Sequence, residues 1–320
     1  MSSRGGSAGL RFAVLGTGES WYFHDLARAA QHLGAEAIAV PFTELRASLT
    51  PSQRGLAAVS LRAAEHDLRS FDAVLVRTMP PGSLEQVVFR MDALHRLAAA
   101  GVTIVNSPRA VEIAVDKYLT SALLHEAGFA TPRTIVCQTS HDALAAFAEL
   151  GGDVVLKPIF GSEGRGITRL QDEALAVRAF RMLEQLGAVF YLQEFVAHEG
   201  YDMRLLVVGE RVLGVRRRNP FDWRTNCSRG AVAEPFDLPD SLAADARRAA
   251  AAVGASIAGV DFLPACDGKL YAIEVNAVPG WKATAAALQT DVAALVLEHA
   301  AHLAAARRAA GDGGGEESSR

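Results

Sequence analysis

The sequence contains few cysteines, and their positions exclude two kinds of site. Three occur in 320 residues, as Cys137, Cys227 and Cys266, too far apart for a zinc site or a CxxC redox pair. So sparse a cysteine content fits a reducing compartment, and we expect a cytoplasmic protein. Residues 1–9 carry no apolar core, so no signal peptide is expected.

The chain also lacks a strong net charge and a long uncharged apolar run. Its net charge is −4, with a predicted isoelectric point near 6.2. This balance argues against a protein that mainly grips nucleic acid, although it leaves room for a local basic pocket. The most apolar stretch, 284–306, carries Asp291, Glu298, His299 and His302. It therefore predicts a packed Ala-rich helix, and no membrane contact is expected.

No repeat of 20–50 residues is apparent, and no Ser-His-Asp or Cys-His arrangement supports a covalent enzyme intermediate. Half of the residues are hydrophobic and about a fifth are charged, which predicts a globular protein with a sizeable core. A length of 320 residues predicts roughly two domains. Residues 1–9 and 306–320 are rich in Gly, Ser and charge, and are predicted to be disordered tails.

Residues 10–108 are predicted to form an α/β domain. Strands and helices alternate there, which implies a parallel sheet with helices on both faces. The predicted strands are 11–15, 35–40, 71–76 and 102–105, and the predicted helices are 22–33 and 84–100.

Residues 109–305 are predicted to form an α+β region. A single helix is expected from Pro108 to Ala127, closed by Gly128. We expect it to consist of a central lid part, about 130–195, and a C-terminal part, about 196–305. The predicted strands are 134–136, 154–157, 167–170, 190–193, 204–208 and 212–216.

A short acidic hairpin carries the first candidate site. Asp267-Gly268 lies between two apolar runs, which is the strongest short signal for a two-residue turn. That turn would place Asp261 opposite Glu274, with Asn276 two residues on along the same face. Opposed carboxylates destabilise a ladder unless a cation lies nearby, and three oxygen donors suit Mg²⁺. The alternative is a solvated hairpin with its charges on the wet face.

A lysine followed by a glycine-rich loop is the second candidate site. Lys157 ends a predicted strand, and Gly161, Gly164 and Gly166 follow it. Glycines let backbone N–H groups approach phosphate oxygens closely, although the spacing is not that of a P-loop. Because the loop joins two strands, it is predicted to act as a lid. The alternative is an ordinary flexible hairpin.

The next segment could bind an adenine ring. Glu194 lies near the end of an apolar run, and Phe195 and Val196 could pack against the ring. The plain alternative is a buried strand. Asp202, just beyond, could accept hydrogen bonds from ribose hydroxyls or could simply be a turn residue.

Arginines cluster after this segment. Arg204 and the segment 224–226 flank Arg216, Arg217 and Arg218. Arginine suits bidentate recognition of carboxylate and phosphate, although a run of three is also typical of a solvated face. On a strand the outer two point one way and the middle one the other, so at most one set faces a pocket. With the lysine, the lid and the acidic hairpin, these residues indicate phosphoryl transfer.

Together these motifs resemble the ATP-grasp superfamily and, within it, the RimK-like α-L-glutamate ligases, over about residues 11–305. The motifs are Asp116-Lys117, Leu156-Lys157-Pro158, Gly161-Ser162-x-Gly164-x-Gly166, Gln193-Glu194-Phe195-Val196, Asp202-x-Arg204, Trp223-Arg224-Thr225-Asn226, Gly259-x-Asp261 and Glu274-x-Asn276. Stretches 83–92, 106–112, 160–166 and 279–281 look closer still to the tetrahydromethanopterin:α-L-glutamate ligases. The resemblance implies an ATP-grasp fold behind an N-terminal parallel α/β (pre-ATP-grasp) domain.

The resemblance also implies residue roles. For the nucleotide they are Lys117, Lys157, Gly161, Ser162, Gly164, Gly166, Gln193, Glu194, Phe195, Val196, Asp202, Arg224, Thr225 and Asn226. For Mg²⁺, or alternatively Mn²⁺, they are Asp261, Glu274 and Asn276. For catalysis they are Arg204, Arg217, Arg224 and Asn226.

The implied activity is ATP-dependent addition of L-glutamate, through an acyl phosphate, to a carboxylate of a tetrahydromethanopterin-type carrier. The expected partners are therefore small molecules. Lys282-Ala283 stands where Gly-Leu is usual, so a dephospho pterin or a furan carrier stays open as the acceptor. A protein C-terminus is the nearer alternative acceptor, and a non-catalytic nucleotide-binding scaffold the more distant reading. The loop 77–80 is predicted to influence acceptor choice. The number of glutamates added, and whether the chain forms a homo-oligomer, are left open.

Overall fold

The computed structural model describes residues 9–50, 58–161 and 164–312. Contacts divide the chain into two units, one of residues 1–111 and 289–320 and the other of residues 112–288. The predicted boundary at 108/109 lies close to the observed one. Residues 289–305, predicted to belong with the second region, cluster instead with the first unit.

The first unit opens with ten elements in chain order, and the division falls within the last of them. They are β1 (Arg11–Leu15), α1 (Trp21–His32), β2 (Glu36–Val40), β3 (Leu45–Thr50), β4 (Ala58–Ala63), β5 (His66–Asp67), β6 (Ala73–Val76), α2 (Leu84–Ala99), β7 (Thr103–Val105) and α3 (Pro108–Val115). These bounds confirm each strand and helix predicted before residue 108, to within about two residues at each end.

A parallel four-stranded sheet in the order β2-β1-β6-β7 forms the core of this unit. The chain moves from β1 to β2 in one direction and from β6 to β7 in the other. Because such crossovers are right-handed, α1 and α2 lie on opposite faces, as predicted. Capping residues fix where both helices begin: Ser20 accepts from the N–H of Phe23, and Ser83 forms a capping box with Gln86.

A small antiparallel sheet, β3-β4-β5, was not predicted. Both strands alternate apolar and polar residues, as in Leu45-Arg46-Ala47-Ser48-Leu49-Thr50, so the strand signal was present in the sequence and was missed. Its connecting residues 51–57 lie outside the described part of the chain.

The second unit contains the remaining elements up to residue 288, which are α4 (Lys117–Glu126), β8 (Thr134–Cys137), α5 (Ser140–Glu149), β9 (Val154–Lys157), β10 (Thr168–Leu170), α6 (Glu173–Gln185), β11 (Phe190–Glu194), β12 (Tyr201–Val208), β13 (Arg211–Arg218), β14 (Val232–Pro235), α7 (Asp240–Ala252), β15 (Ile257–Pro264), β16 (Leu270–Asn276) and α8 (Lys282–Leu288). The last helix, α9 (Val292–Asp312), belongs to the first unit.

Two antiparallel sheets organise this unit, and all six strands predicted between 134 and 216 are confirmed. The small sheet has the order β10-β9-β11-β8, and its core includes side chains of α5 and α6, with Phe180 meeting Phe190 edge to face. The large sheet has the order β14-β13-β12-β15-β16. Strand β12 therefore has a partner on each side, and its side chains can be held from both.

Two predicted helices are broken. The helix predicted from Pro108 to Ala127 is interrupted at Asp116, whose carboxylate accepts from the N–H groups of Tyr118 and Leu119 and so begins α4. Gly128, at φ +80°, closes α4 as predicted. The helix predicted within 284–306 is divided between α8 and α9, with Gln289 at φ +48° in the break.

The disordered tail predicted to begin at residue 306 is wrong for residues 306–312, which continue α9. Arg307 donates to the carbonyl of Val102 at 3.1 Å, and Arg308 lies 2.5 Å from Asp72. Residues 1–8 and 313–320 lie outside the described residues. Within the described ranges, no helix is both long and apolar enough to cross a membrane.

The acidic hairpin keeps the predicted pairing of Asp261 with Glu274, but through a different turn. Pro264 pairs with Leu270, and the N–H of Ala265 donates to the carbonyl of Lys269. The turn therefore has three residues, 266–268, one more than the two-residue turn predicted. A bulge beside Asp261 then leaves Ile273 unpaired and restores the register. The longer turn and the bulge shift the pairing in opposite directions, and the two errors of prediction cancel.

Asp116→Ala is expected to destabilise the second unit by about 1 kcal/mol, because the first N–H groups of α4 lose their acceptor. Asp116→Asn is the matched control, since asparagine caps a helix about as well as aspartate. Urea unfolding of the three proteins gives the comparison. Equal losses in the two variants would show that the charge, and not the cap, matters at this position.

Candidate active site

A pocket in the second unit lies between the small and large sheets and brings together most of the predicted site. Thirteen predicted residues line it: Lys117, Lys157, Gln193, Glu194, Phe195, Val196, Asp202, Arg217, Arg224, Thr225, Asn226, Asp261 and Glu274. Four others lie in elements next to it: Gly161, Gly164, Gly166 and Arg204. Asn276 ends β16 two residues after Glu274. Ser162 lies outside the described residues.

Lys157 is a half-buried cation at the end of β9. Its Nζ donates to Oε1 of Gln193 at 2.6 Å. Burial lowers the pKa of Lys157 to about 8, while the charges of Glu274 and Asp261 act to raise it. The ammonium therefore lies in the pocket with few compensating contacts, as a group that binds an anionic ligand should.

Lys117 holds the glycine-rich loop. Its Nζ donates to the carbonyl of Gly161 at 2.7 Å and lies 3.5 Å from that of Ile159. The ammonium predicted to bind phosphate is thus bonded to the backbone of the lid. Nucleotide binding would have to exchange these carbonyls for phosphate oxygens.

The other side of the lid contacts the loop after β13. Gly164 has φ +69°, and a Cβ there would lie 2.6 Å from Oδ1 of Asn226, so only glycine fits. Arg229 donates to the carbonyl of Gly164 at 3.3 Å, and Arg224 donates to that of Ile167 at 3.3 Å. Gly166 likewise has a left-handed φ, of +73°.

Arg224 was predicted to act on phosphate, but its charge is already paired. Its guanidinium binds the carboxylate of Asp222 through Nε and Nη2, at 2.6 to 3.1 Å. Together with its bond to Ile167, this makes Arg224 a link between the 222–229 loop and the lid. The catalytic role of Arg224 stays a prediction.

The predicted adenine connector is held by backbone and side-chain bonds. The N–H of Glu194 donates to the carbonyl of Arg133 at 2.9 Å, and Oε1 of Glu194 accepts from the N–H of Arg133 at 2.8 Å. The ring of Phe195 lies under the guanidinium of Arg169, 3.3 Å from the ring centroid, and meets Trp223 edge to face. These contacts hold the connector in place at the edge of the pocket.

The prediction missed the apolar walls of the pocket, formed by Val155, Ile167, Leu263 and Ile273. For two of these residues, the alternation of side-chain direction along a strand could have predicted that they face the pocket. Val155 lies two residues from Lys157, and Leu263 two from Asp261, so each pair shares a face. No pattern indicated Ile273, because it reaches the pocket only through the bulge in β16.

The alternation of the three arginines is confirmed. Arg217 is buried in the pocket, while Arg216 and Arg218 both lie over the ring of Tyr201, at 4.7 and 4.9 Å. Since Tyr201 and Asp202 are adjacent on β12, these contacts place the outer two arginines on the opposite face.

Arg217 is held by two buried carboxylates. Its Nε donates to Oδ1 of Asp202 at 2.8 Å, its Nη2 donates to Oδ2 of the same group, and Nη2 lies 2.9 Å from Oδ2 of Asp261. Thr225 also donates to Asp202, at 2.6 Å. Burial alone would lower the pKa of Arg217, but the charges of Asp261 and Asp202 raise it. Burial raises the pKa of Asp202 in turn, against the pull of Arg217. We take the pair as ionised, because a guanidinium keeps its proton. The ribose role of Asp202 stays a prediction.

The predicted metal ligands fit a hard cation by their chemistry. Within the described ranges, no three His, Cys, Asp or Glu side chains cluster as metal ligands. The predicted set has two carboxylates, and its third oxygen donor is the amide of Asn276. Oδ1 of Asp261 is buried and outside hydrogen-bonding geometry, although Nε of Arg204 lies 2.6 Å away. Oδ1 of Asn276 now accepts from the N–H of Val278 at 2.8 Å. Two carboxylates on neighbouring strands and one amide suit Mg²⁺.

Comparison with known proteins shows relatives across most of the chain. A RimK-like ATP-grasp domain matches residues 114–300. The tetrahydromethanopterin:α-L-glutamate ligase of Methanosarcina acetivorans is 34% identical over 259 residues, covering 77% of this chain and 79% of that one. The glutamate–LysW ligase ArgX of Sulfurisphaera tokodaii is 27% identical over 238 residues, covering 72% of this chain and 82% of that one.

A solved structure shares the fold. The ATP-grasp ligase PsnB, complexed with minimal precursor, Mg and ADP, matches 92% of this chain and 97% of its own with a TM-score of 0.70, at 20% identity. That identity supports the fold alone. The domain match covers more than half of the chain, and the first relative exceeds 30% identity over three quarters of it. The chain therefore belongs to the RimK-like ATP-grasp family of α-L-glutamate ligases.

Proposed function

We propose that this ligase uses ATP to join L-glutamate to a carboxylate of a tetrahydromethanopterin-type one-carbon carrier. The observation that carries the ligase chemistry is the convergence of Lys117, Lys157, Arg217 and the opposed Asp261 and Glu274 in one pocket. Such a set neutralises and positions phosphate groups, which is most of what phosphoryl transfer requires from a protein.

The proposed reaction has two steps. A carboxylate oxygen of the acceptor attacks the γ-phosphorus of ATP, the bond to the β–γ bridging oxygen breaks, and acyl phosphate and ADP form. The amine of L-glutamate then attacks the acyl carbon, phosphate leaves, and the amine loses a proton as the amide forms. Lys117 and Lys157 would bind the α- and β-phosphates, with the connector around Phe195 holding adenine and Asp202 the ribose.

Arg204 and Arg217 would stabilise the transferring phosphoryl group and the acyl phosphate. Asp261, Glu274 and Asn276 would hold Mg²⁺, which when bound supplies Lewis-acid polarisation and a template for phosphate oxygens.

The pterin acceptor is supported by similarity, and related ligases use other acceptors. The relative of 34% identity is named for tetrahydromethanopterin, whereas ArgX is named for LysW and PsnB is described with a precursor. A protein or peptide terminus is therefore the second candidate acceptor. The ATP-binding residues do not distinguish the two, since the same nucleotide chemistry serves both.

The acceptor prediction is tested with purified protein, ATP, Mg²⁺ and L-glutamate, and products are measured by mass spectrometry. One reaction contains a tetrahydromethanopterin-type acceptor, one a ribosomal-protein C-terminal peptide, and one no acceptor. We expect a glutamyl mass increment on the pterin alone. An increment on the peptide alone would transfer the same chemistry to protein modification. The absence of ADP and of any increment would contradict the ligase proposal for these acceptors.

The lowered pKa of Lys157 predicts a pH dependence of nucleotide affinity. The protonated ammonium binds phosphate, so affinity is nearly full at pH 7, is about halved at pH 8 and falls further as the pH rises. With a pKa of about 8 in the free protein, ADP affinity should fall by about tenfold from pH 7 to pH 9. Isothermal titration calorimetry measures it.

Lys157→Met is the control for this dependence. It should bind ADP weakly at every pH and show little change between pH 7 and pH 9. If the variant keeps the same tenfold fall, another group in the pocket, and not Lys157, is titrating.

A further inference from the structure

Two arginines bind the carboxylate that the cation needs. Arg204 Nε lies 2.6 Å from Oδ1 of Asp261, and its Nη2 donates to Oδ2 at 3.1 Å. Arg217 Nη2 lies 2.9 Å from the same Oδ2. The Asp261 and Arg217 side chains are each only 7% exposed, so these ion pairs are little screened by water. A cation that binds Asp261 must compete with both guanidinium groups.

The charges in this part of the pocket already balance. Five acidic and five basic side chains line it or pair with its lining: Glu194, Asp202, Asp222, Asp261 and Glu274, and Lys117, Lys157, Arg204, Arg217 and Arg224. A divalent cation alone would leave two uncompensated positive charges in a poorly solvated site, which is costly. The phosphates of a nucleotide would restore the balance. The charge count therefore favours entry of the cation together with the nucleotide.

The position of Arg204 depends on a neighbouring glycine. A Cβ on Gly259 would lie 2.1 Å from Nη1 of Arg204, well inside contact distance. Gly259 does not have a left-handed φ, so what the glycine supplies is space and not backbone freedom. Arg217, by contrast, has Asp202 as a second anchor. Of the two arginines, Arg204 is the one that can leave Asp261 while Arg217 stays in place.

We propose that Arg204, with Arg217, closes the cation site at Asp261 until nucleotide and cation arrive together. The cation then displaces Arg204, which becomes free to bind phosphate. This inference rests on the proposed function in taking Asp261 as a ligand of Mg²⁺. In it Arg204 is a gate as well as a phosphate-binding group, and Gly259 is the residue that lets the gate close.

The test measures Mn²⁺ binding to nucleotide-free protein, from the loss of the electron paramagnetic resonance signal of free Mn²⁺. Gly259→Ala expels Arg204 without removing its charge, and Arg204→Gln removes the charge. Both variants should bind Mn²⁺ about fivefold or more tightly than the wild type. With saturating ADP the three proteins should differ much less, because Arg204 has then left Asp261 in the wild type and does not bind Asp261 in either variant.

Two further variants control this test. Arg28→Gln removes an arginine that binds Asp291 through two bonds in the first unit, and should leave Mn²⁺ affinity unchanged. Asp261→Asn placed in the Gly259→Ala protein should abolish the gained affinity, which locates the ion. Circular dichroism establishes that each variant is folded. Since the two gate variants perturb the strands differently, either one that folds decides the question.

Equal Mn²⁺ affinity of wild type, Gly259→Ala and Arg204→Gln without nucleotide would overturn the gate. A gain that survives Asp261→Asn would overturn it as well, because the ion would be bound elsewhere. Neither acceptor nor glutamate is present, so a failed ligase assay would leave this result standing. An active ligase with unchanged Mn²⁺ affinities would refute the gate alone.

Discussion

The site depends on one buried guanidinium. Arg217 on β13 joins Asp202 on β12 to Asp261 on β15, and so ties together three strands of the large sheet at the pocket. Removing one partner of such a pair typically costs about 3–5 kcal/mol, because the remaining charge stays buried without compensation. Replacing the whole ion-pair network by apolar side chains would cost less stability than removing one partner, so stability alone does not explain the network. The network keeps charged groups inside a pocket where a highly charged ligand can bind them.

From this network the contacts extend outward to the lid. Thr225 donates to Asp202, its neighbour Asn226 packs under Gly164, and Lys117 binds the carbonyl of Gly161 on the near side of the loop. The lid is thus held by groups that are also predicted to bind the nucleotide. A nucleotide that recruits those groups would have to break the hydrogen bonds that they make to the glycine-rich loop.

Much of this could be predicted from local pattern, and the failures have physical causes. Alternation on β13 correctly gave Arg217 a different face from its neighbours, but could not say which face held the pocket. The pairing of Asp261 with Glu274 was right although its turn was wrong, because turn length and bulge compensate, and neither has a clear sequence signal. Pairing between elements distant in sequence, such as Arg204 with Asp261, was invisible to spacing. That is why both arginines were assigned to phosphate without the carboxylate that now holds them.

The pocket uses two kinds of cation for two kinds of task. A guanidinium keeps its proton under any physiological condition, and arginine is therefore suited to compensating carboxylates that are always buried, as Arg217 does for Asp202. An ammonium can lose its proton when desolvated, and burial brings the pKa of Lys157 to about 8. A lysine in that position tolerates the absence of its anionic ligand more cheaply than a buried arginine would. Arginine thus pairs with the permanently buried carboxylate of Asp202, and lysine lies where an anionic ligand binds and dissociates.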